Sequence, residues 1–187
     1  MGDTHSPGKI TVDEYYEMAR TGLIDPDARV ELIEGEIVAM APIENPHAYV
    51  VDVLSERLWA VVRAQAHVRV QGALRLNDRT ELQPDVSVLK LPSEQYRQRQ
   101  ASASDALLVV EVSDSTLGKD LHVKVPLYAR HGVPEVWILD LKKNCVRFYR
   151  SLADAQYQEV SVDSEPQIAP VPGVPAASID LAKLVDW

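Results

Sequence analysis

The sequence predicts one domain of the α+β or mixed α/β class, built on one central sheet. Three observations carry this. Short apolar segments with strand character are interspersed with two longer stretches of helical periodicity, there is no internal repeat, and no regular βαβ alternation runs along the chain. With 187 residues, 46% of them hydrophobic and 25% charged, the chain has the balance of a soluble globular protein and enough apolar material for one sizeable core.

The elements follow in order. In "TVDEYYEMAR", Thr11 and Glu14 stand at capping-box spacing, so a short helix starts there. "RVELIEGEIVAMAP" reads as two strands of a hairpin around Glu34-Gly35, with Glu36 just past the turn. "ENPHAYVVDVLSERLWAVVRAQ" has Asn45 as N-cap and Pro46 at the first helical position, followed by Leu54 and Leu58 among valines at helical spacing. "HVRVQGALRLND" alternates apolar and polar residues and breaks at Gly72 into one or two strands, and "PDVSVLK" is a further short strand.

"LPSEQYRQRQASASDA" is a polar connector with room for a helical turn. The run "LLVVEVSDST" is a strand buried on both faces. "TLGKDLHVKVPLYARHG" is helical up to Gly132, with Leu121, Val125 and Tyr128 on its packed face and a disturbance at Pro126. "EVWILDL" and "VRFYR" are strands joined across Lys142-Lys143-Asn144. The proline-rich stretch within residues 165–187 is expected to extend over the surface outside a core of about 30–150, and "SIDLAKLVDW" to end in a short helix.

Composition removes several functions. The net charge of -9, from 28 acidic and 19 basic residues, argues against a protein held on nucleic acid by a basic face. It leaves room for a metal-dependent enzyme, whose clustered carboxylates are neutralised by the ion they hold. A single cysteine, Cys145, excludes a disulfide framework and a thiolate zinc site. No apolar run is long enough for a membrane span and no signal-peptide core is present, so a cytoplasmic protein is expected. "MGDTHS" fits a loose myristoylation pattern, one short enough to be common by chance.

Glu111 poses the chemical question, because an ionised carboxylate in an apolar strand must be paired, protonated or bound to something. Side chains alternate along a strand, which puts Glu111 on the face of Val109 and Ser113. If the strand after Pro84 is a neighbour, Asp85 and Glu111 converge on one ion, and hard oxygen ligands of this kind suit Mg²⁺ or Mn²⁺. Lys124, one helical turn after Asp120, is the nearest downstream cation able to orient a water or offset negative charge. Taken singly, Glu111 is equally the partner of a core cation, Asp85 a turn residue, Glu36 a solvated side chain and His47 a structural histidine.

"ELIEGEIVAMAP", "NPHAYV", "PDVSV", "VVEVSDST" and "KDLHVKVPLYARHGVPEVWILDL", in this order from about Val30 to Arg150, resemble the Uma family of restriction endonuclease-like proteins. That family is similar to the PD-(D/E)xK nucleases, and the resemblance implies a restriction endonuclease-like mixed central sheet flanked by helices. It makes Asp85 the aspartate of the "PD" motif and Glu111 the acidic residue of the next strand. The usual lysine two places on is replaced by Ser113, and the resemblance assigns its role to Lys124 from the following helix. Glu36 matches the early glutamate that completes such sites, and His47 the histidine that opens the long helix.

The implied activity is Mg²⁺- or Mn²⁺-dependent hydrolysis of DNA that leaves a 5′-phosphate, with Asp85, Glu111 and Glu36 holding the metal. The rival expectation is a non-catalytic homologue of the same fold acting as a dimeric binding or scaffolding module, which the acidic charge favours. A homodimer is expected in either case if "VWILDL" or "VRFYR" lies at an open sheet edge.

Overall fold

The computed structural model describes residues 9–25 and 27–184. The myristoylation pattern at the start of the chain and the last three residues lie outside them. Helix α1 (Val12–Arg20) begins with the capping box expected at Thr11 and Glu14, both reciprocal bonds being present. Strands β1 (Val30–Ile33) and β2 (Glu36–Ala39) pair antiparallel across Gly35, whose φ of 83° needs a residue without a Cβ. Helix α2 (Asn45–Val62) starts one residue earlier than the N-cap reading of Asn45, since Glu44 holds the cap position without a side-chain bond.

The strand pair around Gly72 resolves into β3 (His67–Val70) and β4 (Leu74–Asn77), which belong to different sheets. Strands β5 (Thr80–Leu82), β6 (Val86–Leu89) and the two-residue β7 (Ala101–Ser102) follow, with a 3₁₀ turn at Ser93–Arg97 in the polar connector. Next comes β8 (Ala106–Ser113), every residue of which is buried except the partly covered Leu107. Strands β9 (Val136–Asp140) and β10 (Cys145–Ala153) form the expected hairpin, and β10 turns into β11 (Gln156–Asp163).

The class is mixed α+β, but one central sheet has become two. The larger is six-stranded in the order β11-β10-β9-β8-β6-β3, antiparallel apart from the β8–β9 pair. A five-stranded sheet, β2-β1-β5-β4-β7, takes the N-terminal hairpin. The kink at Gln71 (φ 46°) and Gly72 hands the chain from one sheet to the other. Strands β9 and β10 are interior, so the sheet edges are β11 and β3, and self-pairing of two copies through "VWILDL" or "VRFYR" is closed off.

Alternation along β8 divides the core. Leu108, Val110 and Val112 pack with Val50, Val51, Leu54 and Leu58 of α2, while Val109 shares a second cluster with Val125, Leu127 and Tyr128 of the downstream helical segment. Glu111 and Ser113 therefore face that segment. It consists of a short α-turn α3 (Leu117–Lys119), a π-helical turn (Asp120–Lys124) and α4 (Val125–Arg130). Pro126 has no N–H to give, and the chain meets it with a widened turn in which the Val125 N–H reaches back to the Asp120 carbonyl. Gly132 ends the segment at φ 84°, as its sequence position suggests.

The C-terminal stretch differs most from expectation. It folds into an antiparallel pair, β12 (Ile168–Pro170) and β13 (Ser178–Asp180), in place of a loose run and a terminal helix. Ala169, Val171, Val174, Ala177, Ile179, Leu181 and Leu184 enter the α2 side of the core. Arg57 of α2 clasps the pair by donating to the carbonyls of Asp180 (2.7 Å) and Ala182 (2.9 Å). Among the described residues no helix is long and apolar enough to cross a membrane. Since Ile179 is fully buried, Ile179→Ala is expected to cost about 2–5 kcal/mol. Urea denaturation measures this; an unchanged midpoint would show that the tail contributes nothing to the core.

Candidate active site

Where β1, β6, β8 and the π-helical turn meet, the molecule opens a cavity of about 280 Å³. Asp85 immediately precedes β6 and Glu111 lies on the adjacent β8, the neighbour relation on which their convergence depends. Asp85 is fixed from several sides. Its Oδ2 accepts from the Val112 amide (2.8 Å), and its Oδ1 from His47 Nε2 (3.1 Å) and Gln71 Nε2 (3.4 Å). Burial works against a charged His47, but the hydrogen bond and negative charge of Asp85 outweigh it and raise the imidazole above its ordinary value.

Glu111, 2% exposed, answers the question of its partners with a cluster. Tyr128 donates its hydroxyl to Oε1 at 2.5 Å, and Lys124 Nζ lies 3.1 Å from Oε1 and 3.2 Å from Oε2. The same ammonium is 3.0 Å from Glu31 Oε1 and 3.9 Å from Asp120 Oδ1. Asp120 accepts from Ser113 (2.7 Å) and Thr116 (2.6 Å). The serine in the usual lysine position thus supports the residue that helps to place Lys124.

Burial pushes the Glu111 carboxyl up to about 8; Lys124 opposes this, and Asp120, Asp85 and Glu31 add to it. Burial alone would depress Lys124, yet Glu111, Glu31 and Asp120 more than reverse that and hold it protonated. For Glu31 the burial penalty is outweighed by Lys124, by Lys119 (2.8 Å from Oε2) and by the Gln83 amide (2.9 Å), which keep its carboxyl below the ordinary range. Burial, then Glu111, drives the Tyr128 hydroxyl well above its usual range, so it stays a donor.

Four of the five expected site residues come together: Asp85, Glu111, Lys124 and His47. Glu36 does not. It is exposed at the turn end of β2, opposite Ile33, and lines no part of the cavity. The early glutamate that reaches the site is Glu31, on β1 of the same hairpin, 2% exposed. Glu31 and Tyr128 were missed. The available signal for Glu31 was its place between Val30 and Leu32 in a strand, and for Tyr128 its position four residues after Lys124 on one helical face.

Among the described residues, no three His, Cys, Asp or Glu side chains stand close enough to enclose an ion by themselves. The donor set still fits a hard divalent cation: Asp85 and Glu111 are carboxylates brought side by side by the pairing of β6 with β8, the charge of Asp85 being felt at Glu111, and Mg²⁺ is commonly held by one or two carboxylates with water and substrate oxygens.

The protonation of Glu111 has a measurable consequence without metal. Its value in the fold is raised to about 8 from an ordinary 4.5, so folding favours the neutral carboxyl. The resulting stabilisation is complete below the unfolded value and is lost as pH rises towards 8. Relative to Glu111→Gln, the wild type should lose stability on the order of a few kcal/mol between about pH 5 and about pH 8 in a chelating buffer, by urea denaturation. A difference that stays constant across that range would show Glu111 ionised throughout.

No protein of curated function matches the chain. A crystal structure described as a putative nuclease belonging to DUF820 from Anabaena variabilis ATCC 29413 superposes with a TM-score of 0.69 at 19% sequence identity. The match covers 95% of this chain and 98% of that one, and it shows a shared fold. The family model Uma2, described as putative restriction endonuclease, matches residues 12–182, an interval that holds the whole cavity and every side chain of the Glu111 cluster, and the chain belongs to that family.

Proposed function

We propose that the chain is a divalent-metal-dependent endonuclease that hydrolyses phosphodiester bonds of DNA, with Asp85 and Glu111 as the ligands of Mg²⁺ or Mn²⁺. The observation that carries this reading is the meeting, in one cavity, of two carboxylates from neighbouring strands with a buried ammonium. Bound there, the ion would supply a water of lowered pKa and polarise the scissile phosphate.

The chain's own groups divide the remaining work. Lys124, kept charged by its three carboxylates, offers a positive centre for the negative charge that develops on the phosphate, or a donor that holds the attacking water. Tyr128 and Lys124 fix the Glu111 carboxylate, and His47 with the Val112 amide fixes Asp85, so neither has to be ordered when substrate arrives. Glu31 stands in the place expected of Glu36 as a third metal ligand, and it steadies both Lys119 and Lys124.

The acidic charge favours the rival, a non-catalytic module of the same fold, and turnover separates the two. Wild-type protein is expected to nick supercoiled plasmid with Mg²⁺ or Mn²⁺. Asp85→Ala and Glu111→Gln should each lower the rate at least as far as the ~10–100-fold typical of losing a partner of a metal ligand. Calorimetry should show cation binding weakened in both. Undiminished nicking by the variants would sink the site assignment; no nicking and no cation binding by the wild type would establish the non-catalytic module.

A further inference from the structure

We infer that Arg29 and Lys119, at the mouth of the cavity, form a clamp for the DNA phosphates that flank the scissile one, a contact to the backbone that is indifferent to base sequence. This rests on the nuclease reading and adds the residues by which an acidic protein admits a polyanion.

The electrostatic problem is visible in the lining. Six carboxylates (Glu31, Glu44, Asp85, Glu111, Asp114 and Asp120) face the cavity of a chain with a net charge of -9. Of the four basic side chains that line it, Lys124 is buried and committed to three carboxylates, and His47 is bound to Asp85. Arg29 and Lys119 remain, both half-buried, so neither is shut away from solvent.

Arg29 is the more telling of the two. It lies close enough to His47 for its charge to be felt there, yet among the described residues it forms no ion pair with a carboxylate that lines the cavity. Among the described residues, its one side-chain hydrogen bond goes from Nη1 to the Ala41 carbonyl at 2.7 Å, in the loop between β2 and α2 that lines the cavity. A guanidinium has five N–H donors in a planar fork. Tethered to a neutral carbonyl, Arg29 keeps most of that fork available to an anion, and the fork matches two oxygens of one phosphate. Lys119 stands on α3 and spends one contact on Glu31 at 2.8 Å. Both cations line the cavity that Asp85 and Glu111 line.

The test is the salt dependence of binding. Wild type, Arg29→Gln and Arg29→Lys are titrated against two unrelated fluorescent duplexes by anisotropy, with Ca²⁺ in place of Mg²⁺ to hold the substrate uncleaved, over a range of KCl. Removing one phosphate contact should flatten the slope of log K against log salt by about 0.9. Arg29→Gln is expected to do so with an equal loss of affinity on both sequences, while Arg29→Lys keeps the slope and binds less tightly. Lys119→Gln should flatten the slope likewise. A purely structural role for Arg29 would lower affinity without changing the slope, and that outcome, or a loss confined to one sequence, overturns the clamp. Thermal unfolding of each variant shows that the fold is intact. Wild type that binds neither duplex would overturn the nuclease reading and the clamp with it; wild-type binding with an unchanged slope in Arg29→Gln overturns the clamp alone.

Discussion

The site depends on one buried ammonium. Lys124, 5% exposed, is the charge that Glu31 and Glu111 share inside the protein, with Asp120 completing the ring and Lys119 adding to it at Glu31. Removing either side of such a cluster leaves uncompensated charge in a medium that solvates it poorly. The three acids come from β1, β8 and the π-helical turn, so the ammonium also joins the five-stranded sheet, the six-stranded sheet and the helical segment between them. A cluster with more carboxylates than cations is not at rest electrostatically. Burial and the neighbouring acids accordingly favour the neutral form of Glu111, and on the proposed reading a divalent cation would take the place of that proton.

Much of this was legible in the sequence, for identifiable reasons. Glu111 stood out because a carboxylate in "LLVVEVS" is anomalous by itself, and strand alternation gave its face. Asp85 and Lys124 followed from residue order, and the capping box and the Glu34-Gly35 turn are local signals that tertiary structure did not override. Glu31 was hidden because "RVELIEGEIV" offers Glu31, Glu34 and Glu36 within six residues, and only the pairing of β1 with β5 decides which one turns inward. Strand β11 lacks an apolar alternation to announce it, being exposed at nearly every position, and forms because β10 supplies its ladder. The C-terminal pair was unreadable for a related reason: its prolines suggest an extended surface run, while its alanines and valines find a partner only in α2.

The acidity of the chain and its proposed substrate are compatible once affinity and catalysis are separated. Affinity for DNA comes from phosphate contacts and is dissipated by salt, so a protein with few such contacts binds weakly and lets go readily. Catalysis needs charge where it develops, and on the proposed reading Lys124 would supply this from within, next to its own carboxylates. The overall charge therefore bears first on how tightly substrate is held.

Ser113 shows how the lysine could leave its usual place. It lies two residues beyond Glu111 on the same face of β8, where a lysine would run alongside the carboxylate it serves. Here the hydroxyl at that position donates to Asp120, and Asp120 lies one turn before Lys124 on the segment packed against that face. The short side chain leaves space for the helical segment to approach, and the π-helical turn lets both Asp120 and Lys124 point into the layer between sheet and helix. An ammonium delivered from the helix also reaches Glu31 on the second sheet. With serine on the strand and lysine on the helical segment, a positive charge stands at Glu111 and is also tied to the N-terminal hairpin through Glu31.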